Sequence, residues 1–83
     1  MDDDDLRGLV RELFLRGDAS IPISRDLDLV EAGICDSFAL LELAMALEQK
    51  LGGITIPDSD VTVDNFGSLE RIHAYLGARG EGG

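Results

Sequence analysis

Asp36 and Ser37 stand side by side just before the longest helix-forming stretch of the chain. A serine at a helix entry can cap the first turn by accepting a hydrogen bond from a backbone N–H. With a base within reach it can attack as a nucleophile. It can also be esterified, and a phosphate there meets unpaired N–H groups and the positive end of the helix dipole. The nucleophile needs a base, and His73 is the only histidine. It falls in an apolar helical stripe and reads as a packed helix residue. Cys35, the only cysteine, could itself attack, but no Lys, Arg or His adjoins it to favour the thiolate. It reads as a small loop residue, and one cysteine allows neither an internal disulfide nor a multi-cysteine metal site. Asp26/Asp28 and Asp58/Asp60 alternate like calcium ligands. Neither pair opens a loop of about twelve residues with a central Gly and a closing Glu.

These residues must be held by a chain of 83 residues, read as one domain over 1–83. Scaling with mass leaves roughly 63% of the surface buried on folding, so the core is one thin layer with little room for a catalytic cleft. A net charge of −10 argues against nucleic acid and anionic membranes and favours basic protein surfaces. No apolar run has the length of a membrane span, and the opening Met-Asp-Asp-Asp-Asp is unlike a signal peptide, so a cytoplasmic address is expected.

Periodicity supplies the elements. Leu6, Leu9, Val10, Leu13 and Phe14 form one helical stripe, predicting helix one over about residues 4–16, with Asp5 able to cap it and Gly17 to stop it. Residues 1–4 read as a loose acidic tail and 79–83 as a flexible Gly-rich one. The long connection 17–36 must be tied down, and Ile21, Leu27, Leu29, Val30 and Ile34 can do so, with a short turn near 26–30. Helix two runs over 37–51, where Leu40, Leu43, Ala44, Leu47 and Leu51 make the core stripe. Phe38, Leu41, Glu42, Met45 and Glu48 form a second, mixed apolar and acidic row. Ile21-Pro22-Ile23 and Ile54-Thr55-Ile56 alternate, but such short runs read better as loops than as a ribbon. One short helix is expected around 58–64. A last helix follows Gly67-Ser68 and ends near Ala78, with Leu69, Ile72, His73 and Leu76 as its stripe. The fold class is all-α: a small four-helix bundle of three main helices and one short one, with a long loop between helices one and two.

Gly33-Ile34-Cys35-Asp36-Ser37-Phe38 resembles the attachment loop of the acyl and peptidyl carrier proteins. Glu42-Leu43-Ala44-Met45-Ala46-Leu47-Glu48 is similar to that family's second helix, and Ile54-Thr55-Ile56-Pro57-Asp58 to its Ile-x-Ile-Pro-Asp element. Asp28-Leu29-Val30-Glu31-Ala32-Gly33 fits the approach to the serine. The resemblance covers about residues 6–77, and four elements in the right order are far more specific than one.

The resemblance implies that Ser37 carries 4′-phosphopantetheine from coenzyme A, with Asp36 beside it as a contact to the phosphopantetheinyl transferase. The arm would hold an acyl, aminoacyl or peptidyl thioester, and the chain itself would not be an enzyme. Phe38, Leu41, Glu42, Met45 and Glu48 would face partner enzymes: loading enzymes, synthases, transferases and tailoring enzymes with basic docking surfaces. A monomer is expected. Leu43, Leu47, Ile56 and Leu76 could shelter a bound chain between helix two and the last helix. Ala39, Gln49 and Lys50 stand where fatty-acid carriers are often acidic, and Phe38 replaces the commoner Leu. These departures point away from housekeeping fatty-acid synthesis and towards a freestanding carrier of polyketide, nonribosomal peptide or related specialised biosynthesis, with D-alanyl carriers also sharing the looser pattern. The competing reading is an acidic helical adaptor with no prosthetic group.

Overall fold

The computed structural model describes residues 2–79 and is all-helical. The first helix, α1, spans Asp3–Phe14. It takes in Asp3 and Asp4 of the expected acidic tail, because Asp2 caps it: its Oδ1 accepts from the Asp5 N–H at 2.8 Å. Asp3, Asp4 and Asp5 then lie in the first turn, where the dipole favours negative charge. Asp5 is therefore the donor to the cap, not the cap. The helix ends at Phe14 rather than 16, since Arg16 (φ +53°) and Gly17 (φ +77°) both turn left-handed. Most of the Gly-rich tail, residues 80–83, lies outside the described residues.

The connection from α1 to the next helix has no regular element, yet it is tied at both backbone and side-chain level. Leu29 and Ile23 are buried, while Leu27, Val30 and Ile34 pack against the core from its edge. Two α1 arginines hold loop carbonyls: Arg7 Nε donates to Ile23 O at 2.6 Å and Arg11 Nη2 to Ile21 O at 3.0 Å. A buried carbonyl must find a donor, and these long side chains supply it across the helix–loop seam.

Helix α2 spans Ala39–Leu51. It starts two residues later than the sequence predicts, because residues 37–38 form a tight turn in which the Leu41 N–H reaches only back to the Phe38 carbonyl. Gly52 (φ +62°) and Gly53 (φ +78°) end it. Leu40, Leu43, Ala44 and Leu47 are buried, and Leu51 is half-buried at the end of the stripe.

The predicted short helix is two pieces: a 3-10 turn at Asp58–Asp60 and α3 at Val63–Phe66, capped by the Thr62 hydroxyl. Between them Val61 leaves the helical region in a tight turn closed by the Thr62 N–H on the Asp60 carbonyl, and Thr62 is extended, in line with their β-branched side chains. No strand forms among the described residues. Helix α4, Leu69–Ala78, opens on Ser68, whose hydroxyl accepts from the Arg71 N–H at 3.2 Å. It buries Leu69, Ile72 and Leu76, and its Tyr75 ring packs on Phe66 at a centroid distance of 4.9 Å.

Gly67 lets α3 and α4 meet at a sharp corner. A Cβ there would collide with the Val63 carbonyl and approach Val63 Cγ1 to 2.8 Å. Gly67→Ala should therefore destabilise the fold by about 2 kcal/mol, a fall of roughly 10 °C in Tm by circular dichroism. An unchanged Tm would mean that the corner relaxes freely.

Candidate functional site

Ser37 lies in the turn that enters α2, exposed to solvent. It does not cap the helix. The Asp36 carboxylate does: its Oδ1 accepts from the Ala39 N–H at 2.8 Å, and the Asp36 carbonyl takes the same N–H at 3.1 Å. Among the described residues the Ser37 hydroxyl has no hydrogen-bond partner. The residue pair thus divides its labour. Asp36 satisfies the helix end, and Ser37 presents a hydroxyl to whatever approaches.

No side chain activates that hydroxyl. His73, on α4, is engaged elsewhere: its Nε2 sits 2.8 Å from Asp3 Oδ1, a close contact that lacks the alignment of an N–H···O bond. Asp3 Oδ2 also pairs with Arg25 Nε at 3.1 Å. Cys35 is half-buried, and burial pushes its thiol above the ordinary value, with the Asp36 and Asp28 charges adding to the effect. That environment suppresses the thiolate, the reactive form.

The second row of α2 lies open. Phe38 is 81% exposed, Met45 61% and Leu41 36%, and these are the large apolar side chains that the fold leaves out. Glu42 is exposed with them. Positions 38, 41, 42 and 45 follow helical spacing, so the patch runs down one face from Ser37. Glu48, at the end of the row, is half-buried and has a structural tie as well. Its Oε2 accepts from the Ile56 N–H at 2.7 Å and ties the 54–56 segment to α2. The sequence holds no local signal for that bond, since its partner is a backbone group beyond the Gly52-Gly53 turn.

The residues expected to shelter a bound chain all belong to the core. Leu43 and Leu47 are fully buried, and Ile56 and Leu76 nearly so. The suspected acid pairs serve the fold: Asp28 caps a loop turn with bonds to the Val30 and Glu31 N–H groups, and Asp60 accepts the Tyr75 hydroxyl at 2.6 Å. Periodicity does not show the capping role of Asp28, although an Asp followed at the right distance by Gly33 is a readable signal for a short capped turn.

A family model, the phosphopantetheine attachment site, matches residues 4–76. The match begins in α1 and ends in α4, so it takes in the whole bundle. No curated protein and no solved structure matches the chain significantly.

The raised Cys35 thiol makes a testable case. Its thiolate fraction at neutral pH is below that of an ordinary cysteine, so iodoacetamide at about pH 7.5 should alkylate it more slowly than a cysteine in an unstructured peptide. Raising the pH should bring in the reaction later than for that peptide. Mass spectrometry over time checks both, and equal rates would contradict the environment described.

Proposed function

The chain belongs to the phosphopantetheine attachment family, whose members carry 4′-phosphopantetheine covalently and are not themselves enzymes, and on that footing we propose that Ser37 is the attachment point. The observation that supports this is the free Ser37 hydroxyl at the head of α2, beside an aspartate that has already capped the helix. Loading would join Ser37 Oγ to the pantetheine-bearing phosphorus of coenzyme A and release adenosine 3′,5′-bisphosphate. The hydroxyl proton would pass to a base of the transferase, since this chain sets none at Ser37. The phosphodiester formed would sit at the positive end of α2, an environment that suits its charge.

The thiol of the arm would hold the cargo as a thioester. With Leu43, Leu47, Ile56 and Leu76 packed together, that cargo would ride in solvent, as suits an aminoacyl, peptidyl or short acyl group. Such a cargo, together with Ala39, Gln49 and Lys50 on α2, favours specialised biosynthesis over fatty-acid synthesis. Phe38, Leu41 and Met45 form an apolar centre for partner docking and Glu42 its charged rim. Asp36 lies within reach of a basic transferase. Glu48 serves the docking face indirectly, by fixing the end of α2 to the segment at Ile56.

Incubation with coenzyme A and a broad-specificity phosphopantetheinyl transferase should raise the intact mass by one phosphopantetheine. Ser37→Ala should abolish the gain. A wild-type chain that stays unmodified, beside a control carrier that is loaded, would return the molecule to the role of an acidic adaptor.

The docking face separates into two effects. Met45→Asp should raise the KM for the transferase about tenfold, the loss of one apolar contact of about 1.4 kcal/mol. Glu42→Lys should slow association and flatten its salt dependence, as expected of a rim charge. Loading kinetics at two ionic strengths check both, and indifference to both substitutions would place the contact surface elsewhere.

A further inference from the structure

The stretch from Asp28 to Ile34 is one turn capped at both ends. Asp28 Oδ1 accepts from the Val30 and Glu31 N–H groups, each at 3.0 Å, and the Asp28 carbonyl accepts from Ala32 N–H at 2.9 Å. At the far end Gly33 is left-handed at φ +76°. Its N–H reaches the Val30 carbonyl at 3.1 Å, while the Ile34 N–H reaches the Leu29 carbonyl at 3.0 Å. These two bonds about a left-handed glycine are the Schellman closure of a helix end.

This turn is fastened on one side to the bundle and on the other to the serine. Leu29 is fully buried, and its N–H donates to the Gly67 carbonyl, at the corner between α3 and α4, at 2.7 Å. Asp28 Oδ2 lies 3.6 Å from Arg71 Nη1 on α4. Towards the serine, the Cys35 N–H shares the Leu29 carbonyl with Ile34, at 3.3 Å. The backbone just ahead of Asp36 and Ser37 is therefore held by the capped turn, and the Asp36 cap holds it from the other side.

We propose that Asp28 is a positioning residue for the modification of Ser37: its carboxylate caps the turn that aims the serine, and so sets the fraction of molecules presenting the hydroxyl to the transferase. The proposal rests on Ser37 being the attachment point. When only a fraction of a protein is binding-competent, its apparent affinity falls by that fraction, while the bound complex is unchanged. Loss of the cap thus appears in KM and not in kcat. Two substitutions weaken the turn at opposite ends by unrelated means. Asp28→Ala removes the acceptor from the N-terminal end. Gly33→Ala strains the left-handed position, and its added Cβ meets nothing within 4 Å, so backbone conformation alone is perturbed.

The experiment measures transferase loading kinetics of the full chain with coenzyme A, for wild type, D28N, D28A, G33A and the D28A/G33A pair. Truncating a cap shifts a local equilibrium by roughly tenfold. Asp28→Ala and Gly33→Ala should each raise KM by about threefold or more, and the pair by about tenfold, with kcat within about twofold of wild type. Asp28→Asn keeps the accepting oxygen and should load nearly as wild type does. Amide hydrogen exchange should quicken at Ile34 and Cys35 in D28A and G33A. Equal KM in wild type, D28A and G33A overturns the proposal while leaving Ser37 as the attachment point. A loss in D28N as large as in D28A also overturns it, because the charge and not the cap would then be at work. Should D28A unfold at the assay temperature, the comparison of G33A with D28N decides between the same two outcomes. A wild-type chain that does not load at all fails the reading of Ser37 itself, a separate result.

Discussion

The hydrogen bond from the Ala39 N–H to the Asp36 carboxylate is the interaction on which the site depends. A helix leaves its first N–H groups without partners, and some nearby oxygen must take one. Had Ser37 been that oxygen, its hydroxyl would be committed to the fold, and esterifying it would remove a cap. With Asp36 in that role, the helix end is satisfied before and after a group is added next door. The same carboxylate limits the neighbouring chemistry, since its charge helps to hold the Cys35 thiol protonated. A reactive thiolate beside a thioester carrier would attack the cargo, so suppression of Cys35 suits the proposed role.

A serine exposed on a floppy loop would satisfy the same chemistry poorly. The connection into α2 has no regular structure, and ordering each of its residues costs about 1–2 kcal/mol of backbone entropy. What opposes that cost is distributed: the buried side chains of Ile23 and Leu29, the two α1 arginines on the Ile21 and Ile23 carbonyls, and the capped turn anchored at Gly67. These ties come from α1 and from the α3–α4 corner. The loop that carries Ser37 is thus held from across the bundle, although the chemistry proposed for it occupies two residues.

Much of this was legible in the sequence because the relevant signals are local. The stripes Leu6–Leu9–Val10 and Leu40–Leu43–Ala44–Leu47 obey helical spacing, and the structure buries them. The mixed row on α2 was likewise visible by position, and Phe38, Leu41 and Met45 prove to be its exposed apolar members. The boundaries failed where side chains competed for the same backbone groups. Asp2 displaced Asp5 as the cap of α1, while at α2 the Asp36 cap was among those the Asp-Ser pair offered, and the tight turn closed by the Leu41 N–H on the Phe38 carbonyl put the helix start at Ala39. For a different reason, the sequence did not show the bond that Glu48 makes. Helical spacing assigns a face, but it says nothing of the Ile56 backbone folding back across the end of that face.

The contrast between the charge of the whole and the character of the α2 face follows from what each contributes to an encounter. A net charge of −10 acts over distance and would draw basic partners at a rate that falls with salt. The face beside Ser37 is apolar at its centre, and in the proposed docking role Phe38, Leu41 and Met45 would be desolvated at low cost and their contacts would govern how long a complex lasts. A carrier must leave each enzyme as readily as it arrives. A deeply buried ion pair would slow release, since separating it exposes charges that had been matched. On that proposal, few apolar contacts, one rim glutamate and a long-range field would give fast arrival with short residence, and Met45, unbranched and adaptable, would fit more than one partner surface. The division proposed at the serine, with one residue for the fold and its neighbour for chemistry, would thus be repeated on the helix: charge would bring the partner, and a small apolar patch would hold it briefly.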